Sequence, residues 1–199
     1  MQIGKVLYPI TTLGPGRRLG IWTQGCFRSC KGCSNPELQP RDPSKDISMR
    51  ALFDGTRSLD YEGITVSGGE PFLDPAELRG LIELFSEAGY EDILVYTGYT
   101  IEELLKMENE DVKYVLSHIA VLIDGPFEES LVDDVPLRGS SNQRVIVLNE
   151  EYRERYASCL SEEKKVDVFR FGAETHFIGI PFKGYDELYR ELLSMRKKK

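Results

Sequence analysis

Three of the four cysteines of this chain crowd into one stretch, "WTQGCFRSCKGCSNPEL", where they stand at Cys26, Cys30 and Cys33. Gly25, Gly32 and Pro36 mark the stretch as a polar loop, a poor place to bury cysteines as small hydrophobes. Three chemistries compete for these thiols. A structural zinc site wants a closed tetrahedral set, and the remaining ligands, Cys159, His118 and His176, are distant in sequence and in no paired motif. "CKGC" alone reads as a thioredoxin-like pair, which leaves Cys26 without a role. A cubane iron–sulfur cluster normally takes one thiolate per iron, so a site with three leaves one iron open to another ligand. An open iron is a place for reaction.

A second motif, "VSGGEP" from Val66 to Pro71, closes the apolar run "GITV". Two glycines at a strand end mean a sharp turn or a close backbone approach. Without Cβ atoms at Gly68 and Gly69, carbonyls can reach an ammonium group while Glu70 supplies complementary charge. The C-x3-C-x2-C spacing followed by GGE resembles the radical S-adenosylmethionine (SAM) enzymes. The resemblance implies a four-iron four-sulfur cluster on Cys26, Cys30 and Cys33, its fourth iron chelated by the amino and carboxylate groups of S-adenosylmethionine. It also implies that Gly68, Gly69 and Glu70 bind the methionine moiety. One-electron reduction would then break the sulfonium bond and leave a 5′-deoxyadenosyl radical that abstracts hydrogen, the protein supplying position and exclusion of water.

Two later segments narrow the likeness: "VYTGYTIEEL", and "LIDGPFEESL" with "RGSSNQR". With the C-x3-C-x-G-C form of the cysteine motif they resemble the activating proteins of anaerobic (class III) ribonucleotide reductases, from the first strand to "FIGIPFKG". That implies an oxidoreductase that installs a glycyl radical on a partner anaerobic ribonucleotide reductase. A low-potential electron donor such as flavodoxin or ferredoxin is implied as well, and no catalytic side chain beyond cluster and cofactor. Thr97 and Asp124 fall at strand ends that contact the ribose or a monovalent cation in related activases, although helix capping or turn formation explains them equally well. Arg144, which opens "RVIVLN", could reach the cofactor's carboxylate, although an arginine at a strand start is commonly solvated. Ser140, Ser141 and Asn142 read as turn residues, His176 as pocket-facing or structural, and Cys159 as a structural thiol. Trp22 and Phe27 read as a shield for the cluster or as ordinary core. Two further readings stay open: another small radical SAM enzyme acting on a different protein, peptide or small molecule, and a non-enzymatic iron–sulfur or zinc module. A simple electron carrier has no need of "SGGEP".

The elements that must position these residues follow from pattern. Short β-branched runs alternate with helical stretches, the grammar of a parallel α/β fold. Strands are expected at "IGKVLYPI", "LGIWTQG", "GITVSGG", "DILVYTG", "AVLIDG", "RVIVLN", "VDVFRFG" and "THFIGI". "DPAE", Asp74–Glu77, offers an N-cap, a first-turn Pro and a reciprocal Glu; "TIEE", Thr100–Glu103, repeats the capping box. Ligands of parallel sheets bind at the carboxyl ends of the strands, so one rim should carry the chemistry. A complete eight-unit barrel takes ~250 residues. With 199 residues, the expectation is one radical SAM domain over residues 1–199: an α/β, incomplete barrel with a mostly parallel sheet and a lateral opening that suits a protein substrate. The formal charge of −8 disfavours nucleic acid. The absence of a long apolar run or a signal-like start points to a soluble, cytoplasmic protein. The basic "RKKK" end reads as a solvated helix end.

Overall fold

The computed structural model describes residues 1–172, 174–180 and 182. The "RKKK" end lies outside the described residues, as do Pro181, Lys183 and Gly184 of "FIGIPFKG".

All eight expected strands form. They are β1 (Ile3–Ile10), β2 (Arg18–Thr23), β3 (Gly63–Gly68), β4 (Ile93–Tyr96), β5 (Val121–Asp124), β6 (Arg144–Val147), β7 (Asp167–Phe171) and β8 (Glu174–Ile178). The first six make one sheet in sequence order, and β7 and β8 make a separate two-stranded hairpin. β2 to β5 are parallel, whereas β1 and β6 run antiparallel to their neighbours at the two edges. The repeating strand–helix alternation suggested by the sequence therefore holds only in the middle of the sheet. Parallel neighbours need a long crossover, and three segments supply one: α1 (Met49–Thr56), α2 (Pro75–Glu87), and α3 (Ile101–Lys106) with α4 (Glu110–His118). Between β1 and β2 the chain merely turns back, and between β5 and β6 it returns through a long loop without an α-helix. Helix α5 (Arg153–Leu160) follows the sheet.

Side chains of a strand alternate between faces, and the two faces bury separate cores. Ile21, Val66 and Val95 join Leu78, Leu81 and Phe85 of α2 and Val112 and Val115 of α4. From the opposite face Trp22 packs with Leu7, Ile10, Leu13, Leu38 and Ile178, so the last strand covers the side of the sheet that the crossover helices leave open. Thr11 and Thr12 tie the hairpin down through hydrogen bonds to the Asp167 carboxylate. Pro9 falls at a register shift in the edge strand β1, where a missing N–H is tolerated.

Capping follows the sequence with one difference. Thr100 and Glu103 form the reciprocal box that starts α3. Asp74 accepts from the Glu77 N–H to start α2, but the Glu77 carboxylate lies 2.9 Å from the N-terminal ammonium of Met1.

At the amino-terminal ends of the strands sits a residue that no motif marks. Arg18 is fully buried, donating to the Thr65 hydroxyl at 2.7 Å and the Ile64 carbonyl at 2.6 Å, and lies 3.1 Å from Asp92. The Tyr156 hydroxyl donates to Asp92 at 2.6 Å. A buried charge with this many partners locks three strands and α5 together, and it leaves the opposite rim for chemistry. No helix among the described residues is long and apolar enough to cross a membrane.

Candidate active site

The carboxyl ends of β2, β3, β4 and β5 lie side by side, with Thr23 opposite Gly68, Val66 opposite Val95 and Tyr96 opposite Ile123. The loops leaving them enclose a cavity of about 850 Å³, large enough for a nucleoside-sized ligand. Its wall includes Cys26, Cys30 and Cys33 from the loop after β2, Gly68, Gly69 and Glu70 after β3, Thr97 and Gly98 after β4, and Gly125 after β5. Trp22 floors it, and Phe177 and Ile178 from β8 close one side.

Backbone hydrogen bonds fasten the cysteine loop to the glycine motif. Gly69 N–H donates to the Thr23 carbonyl at 2.8 Å and Glu70 N–H to the Gly25 carbonyl at 2.9 Å, while Gly25 and Cys26 donate to Leu38 and Gln39. This lacing explains the glycine pair. Gly68 has φ of +118°, and a Cβ on Gly69 would stand 2.1 Å from the Gly25 oxygen, so no side chain fits between the two loops.

All three thiols are free and partly exposed. They share the cavity without being drawn into a ready-made ligand cage, since no preformed cluster of three or more metal-ligating side chains is found among the described residues. Burial pushes the Cys26 thiol up, an effect opposed by the Arg28 N–H that donates to its sulfur at 3.4 Å. The cavity's features fit an iron–sulfur cluster and S-adenosylmethionine: three soft donors on one loop and a side-chain-free backbone cradle, beside which Nε of Arg28 is buried without a hydrogen-bond partner.

Glu70 has two aspects. It lines the cavity, yet it is only 2% exposed and its carboxylate accepts from the Phe72 N–H, the Thr97 hydroxyl and the Gly98 N–H at 3.0, 2.8 and 2.8 Å. Burial raises its pKa, and these three donors pull it back. Its charge thereby joins the ends of β3 and β4.

Asp124 and Arg144 are not on the cavity wall. Asp124 is fully buried; it accepts from the Ile101 N–H at 2.8 Å and from Arg144 Nε at 3.0 Å. The Arg144 guanidinium also binds Glu102 at 2.8 and 2.6 Å. Its donors meet Asp124 at the end of β5 and Glu102 of α3, a clamp that fixes the start of that helix behind the rim.

The remaining expectations divide. Ser140, Ser141 and Asn142 do more than turn the chain: Ser140 Oγ accepts from the Glu128 N–H, Ser141 N–H donates to Leu131, and Asn142 donates to the Pro126 carbonyl. Gln143, which the sequence reading passed over, accepts from the N–H groups of Gly139 and Ser140 and donates to Gly125. Together they fold the loop after β5 against the cysteine loop, where Lys31 meets Glu129 at 3.0 Å. Trp22 is buried, but Phe27 is 50% exposed and shields little; its ring lies 5.0 Å from that of Tyr99. His176 stands 5.6 Å from Phe171 on the hairpin and does not line the cavity. His118 stacks on Tyr114 at the end of α4, and Cys159, on α5, packs against the cluster of Leu94, Val121 and Tyr156. Arg28 on the cavity wall was missed; its place between Cys26 and Cys30 was the available signal.

Comparison with known proteins gives the family of the chain. A family model described as a 4Fe-4S single cluster domain matches residues 12–146, which takes in the cysteine loop and the rims of β3, β4 and β5. The chain is 35% identical over 150 residues to an anaerobic ribonucleoside-triphosphate reductase-activating protein of Salmonella typhi, an alignment spanning 69% of this chain and 94% of that relative. The protein of the same name from Escherichia coli K12 is 34% identical over the same shares, and that of Enterobacteria phage T4 is 29% identical over 70% of this chain and 90% of its own. The chain therefore belongs to the 4Fe-4S single-cluster family and, within it, to the group of anaerobic ribonucleoside-triphosphate reductase-activating proteins.

Proposed function

We propose that this protein is a radical SAM activase: it generates a glycyl radical on an anaerobic ribonucleotide reductase. The observation that carries the reading is the convergence of Cys26, Cys30, Cys33, Gly68, Gly69, Glu70 and Thr97 on one cavity in a chain whose relatives at about one-third identity are reductase-activating proteins.

In this reading Cys26, Cys30 and Cys33 hold a four-iron four-sulfur cluster and leave one iron for S-adenosylmethionine. When bound, the cluster and cofactor supply the one-electron reductive cleavage that ends in removal of a glycine hydrogen. The chain's own residues bind and orient. Gly68 and Gly69 offer bare backbone to the ligand's amino-acid end, Glu70 and Thr97 hold the β3 and β4 rims at fixed separation, and Trp22 with the β8 residues keeps water from the floor. Asp124 and Arg144 act at one remove by fixing α3. Hydrogen transfer needs near-attack contact, so the partner's glycine must enter the cavity. The six-stranded sheet and the β7–β8 hairpin are read as an incomplete barrel, laterally open, in a single domain over residues 1–199 of a cytoplasmic protein. Flavodoxin or ferredoxin is the proposed electron donor.

The test is anaerobic mixing of the iron-loaded, reduced protein with S-adenosylmethionine and its cognate reductase, read by electron paramagnetic resonance. A glycyl doublet that disappears when the target glycine is replaced supports the assignment. Cleavage of S-adenosylmethionine with no such doublet, and modification of another substrate, would sink the activase assignment and leave the radical chemistry.

A further inference from the structure

Arg28 is the basic side chain on the cavity wall among the described residues, and its donors have little to do. Its Nε is buried with no hydrogen-bond partner. The nearest carboxylate, Glu103, is 3.8 Å from Nη2, and that same oxygen already accepts from the Thr100 N–H at 2.7 Å to cap α3. Glu70, the other acid close by, is committed to Phe72, Thr97 and Gly98. Arg18 and Arg144, by contrast, have their donors committed to neighbours.

The side chain is nevertheless held in place. Its guanidinium carbon lies 5.0 Å from the centroid of Phe27 and 5.3 Å from that of Tyr99, cation–π contacts that orient the plane without using its N–H groups. It lies directly on Gly98, where a Cβ would come within 2.6 Å of Arg28 Cδ and Nε. With the side chain 24% exposed, the charge is partly desolvated, and an anion beside it is bound more strongly than in water. A planar fork of donors matches a carboxylate, which it can bind through two parallel hydrogen bonds.

We propose that Arg28 binds the α-carboxylate of the amino-acid end of S-adenosylmethionine, a role the resemblance had suggested for Arg144. The assignment rests on the cofactor reading above. S-adenosylmethionine carries a single carboxylate and no phosphate, and Arg28 stands on the same short loop as the thiols that hold the cluster.

Equilibrium dialysis on iron-loaded protein without reductant separates the possibilities, using S-adenosylmethionine and its decarboxylated analogue as probes against wild type, R28Q and R28K. R28Q should bind S-adenosylmethionine about tenfold more weakly or worse, bind the decarboxylated analogue as wild type does, and keep wild-type iron content; R28K should fall between. Equal affinity of R28Q and wild type for S-adenosylmethionine would overturn the assignment, as would equal losses for both probes or loss of iron from R28Q with retention by R28K. Failure of the wild type itself to bind S-adenosylmethionine would instead overturn the cofactor reading and the assignment with it.

Discussion

The hydroxyl of Thr97 donates to Oε1 of Glu70 across 2.8 Å, both groups buried, and so joins the end of β4 to the end of β3. Thr97 Oγ1 also accepts from the Tyr99 N–H at 3.1 Å, which places one hydroxyl at the centre of the rim.

Thr97→Val keeps the shape and removes that hydroxyl. It should cost about 1–2 kcal/mol, the usual effect of leaving buried partners short of a bond, measured by urea unfolding at neutral pH. The loss has a pH signature. Burial has already raised the Glu70 pKa above the ordinary 4.5, and removing a donor to the carboxylate raises it further. A raised folded pKa gives stability that is present at low pH and lost as pH climbs through that value. The deficit of the variant should therefore narrow as pH falls toward 4.5 and widen as it rises. A deficit independent of pH would mean that the bond to Glu70 is not its cause.

Gly69→Ala should be far more damaging than its chemistry suggests. Its Cβ would meet the Gly25 oxygen at 2.1 Å and the Leu38 oxygen at 2.9 Å, both backbone atoms, so the cysteine loop must move. The expected cost is about 3 kcal/mol or more, in the range reserved for overpacking and strain, with reduced iron loading on reconstitution. Gly55→Ala is the control: the position is within α1 and a Cβ there meets nothing within 4 Å, so thermal melting should show a gain of about 0.5–1 kcal/mol. If both variants melt and load iron as wild type does, the lacing of the two loops is not what the glycines serve.

Iron analysis after anaerobic reconstitution should give about four irons per chain. Cys26→Ala, Cys30→Ala and Cys33→Ala should each lose the cluster, and Cys159→Ala, on α5 and packed against Leu94 and Val121 off the cavity wall, should keep it. A requirement for Cys159 would return zinc to contention.

Arg144 holds the carboxyl of Glu102 down, chiefly through their hydrogen bonds, at about 2. A depressed acid contributes stability above its unfolded value near 4.5, and that contribution is lost as pH falls toward 2. Carboxyl titration by NMR should find Glu102 well below its ordinary value in the wild type and back near 4.5 in Arg144→Ala. An unchanged titration would show that this exposed pair is screened by solvent. If Arg144→Ala also binds S-adenosylmethionine like the wild type, the arginine acts on α3 and not on the ligand.

Composition and local pattern determined a good deal. All eight strands were legible because apolar β-branched runs ending in Gly or a small polar residue have few other outcomes, and the caps at Asp74 and Thr100 are local chemistry. The cysteine and glycine motifs were legible for the same reason: a short spacing constrains geometry within a single loop. Strand direction was not. Whether a crossover helix or a plain return joins two strands is decided by how the chain packs, and only the folded sheet shows β1 and β6 reversed at its edges.

Tertiary structure alone decided how the charges are used. Arg18, Arg28 and Arg144 are equivalent letters in the sequence. Folding buries the first among Thr65, Asp92 and backbone carbonyls, spends the third on Glu102 and Asp124, and leaves the second on the cavity wall with its Nε unpaired. A hydrogen bond or ion pair between residues far apart in the chain exists only when the whole sheet and its loops bring them together. Its place between two cysteines puts Arg28 at the cavity, but no local spacing records which donors are consumed, and that is what leaves its Nε without a partner there.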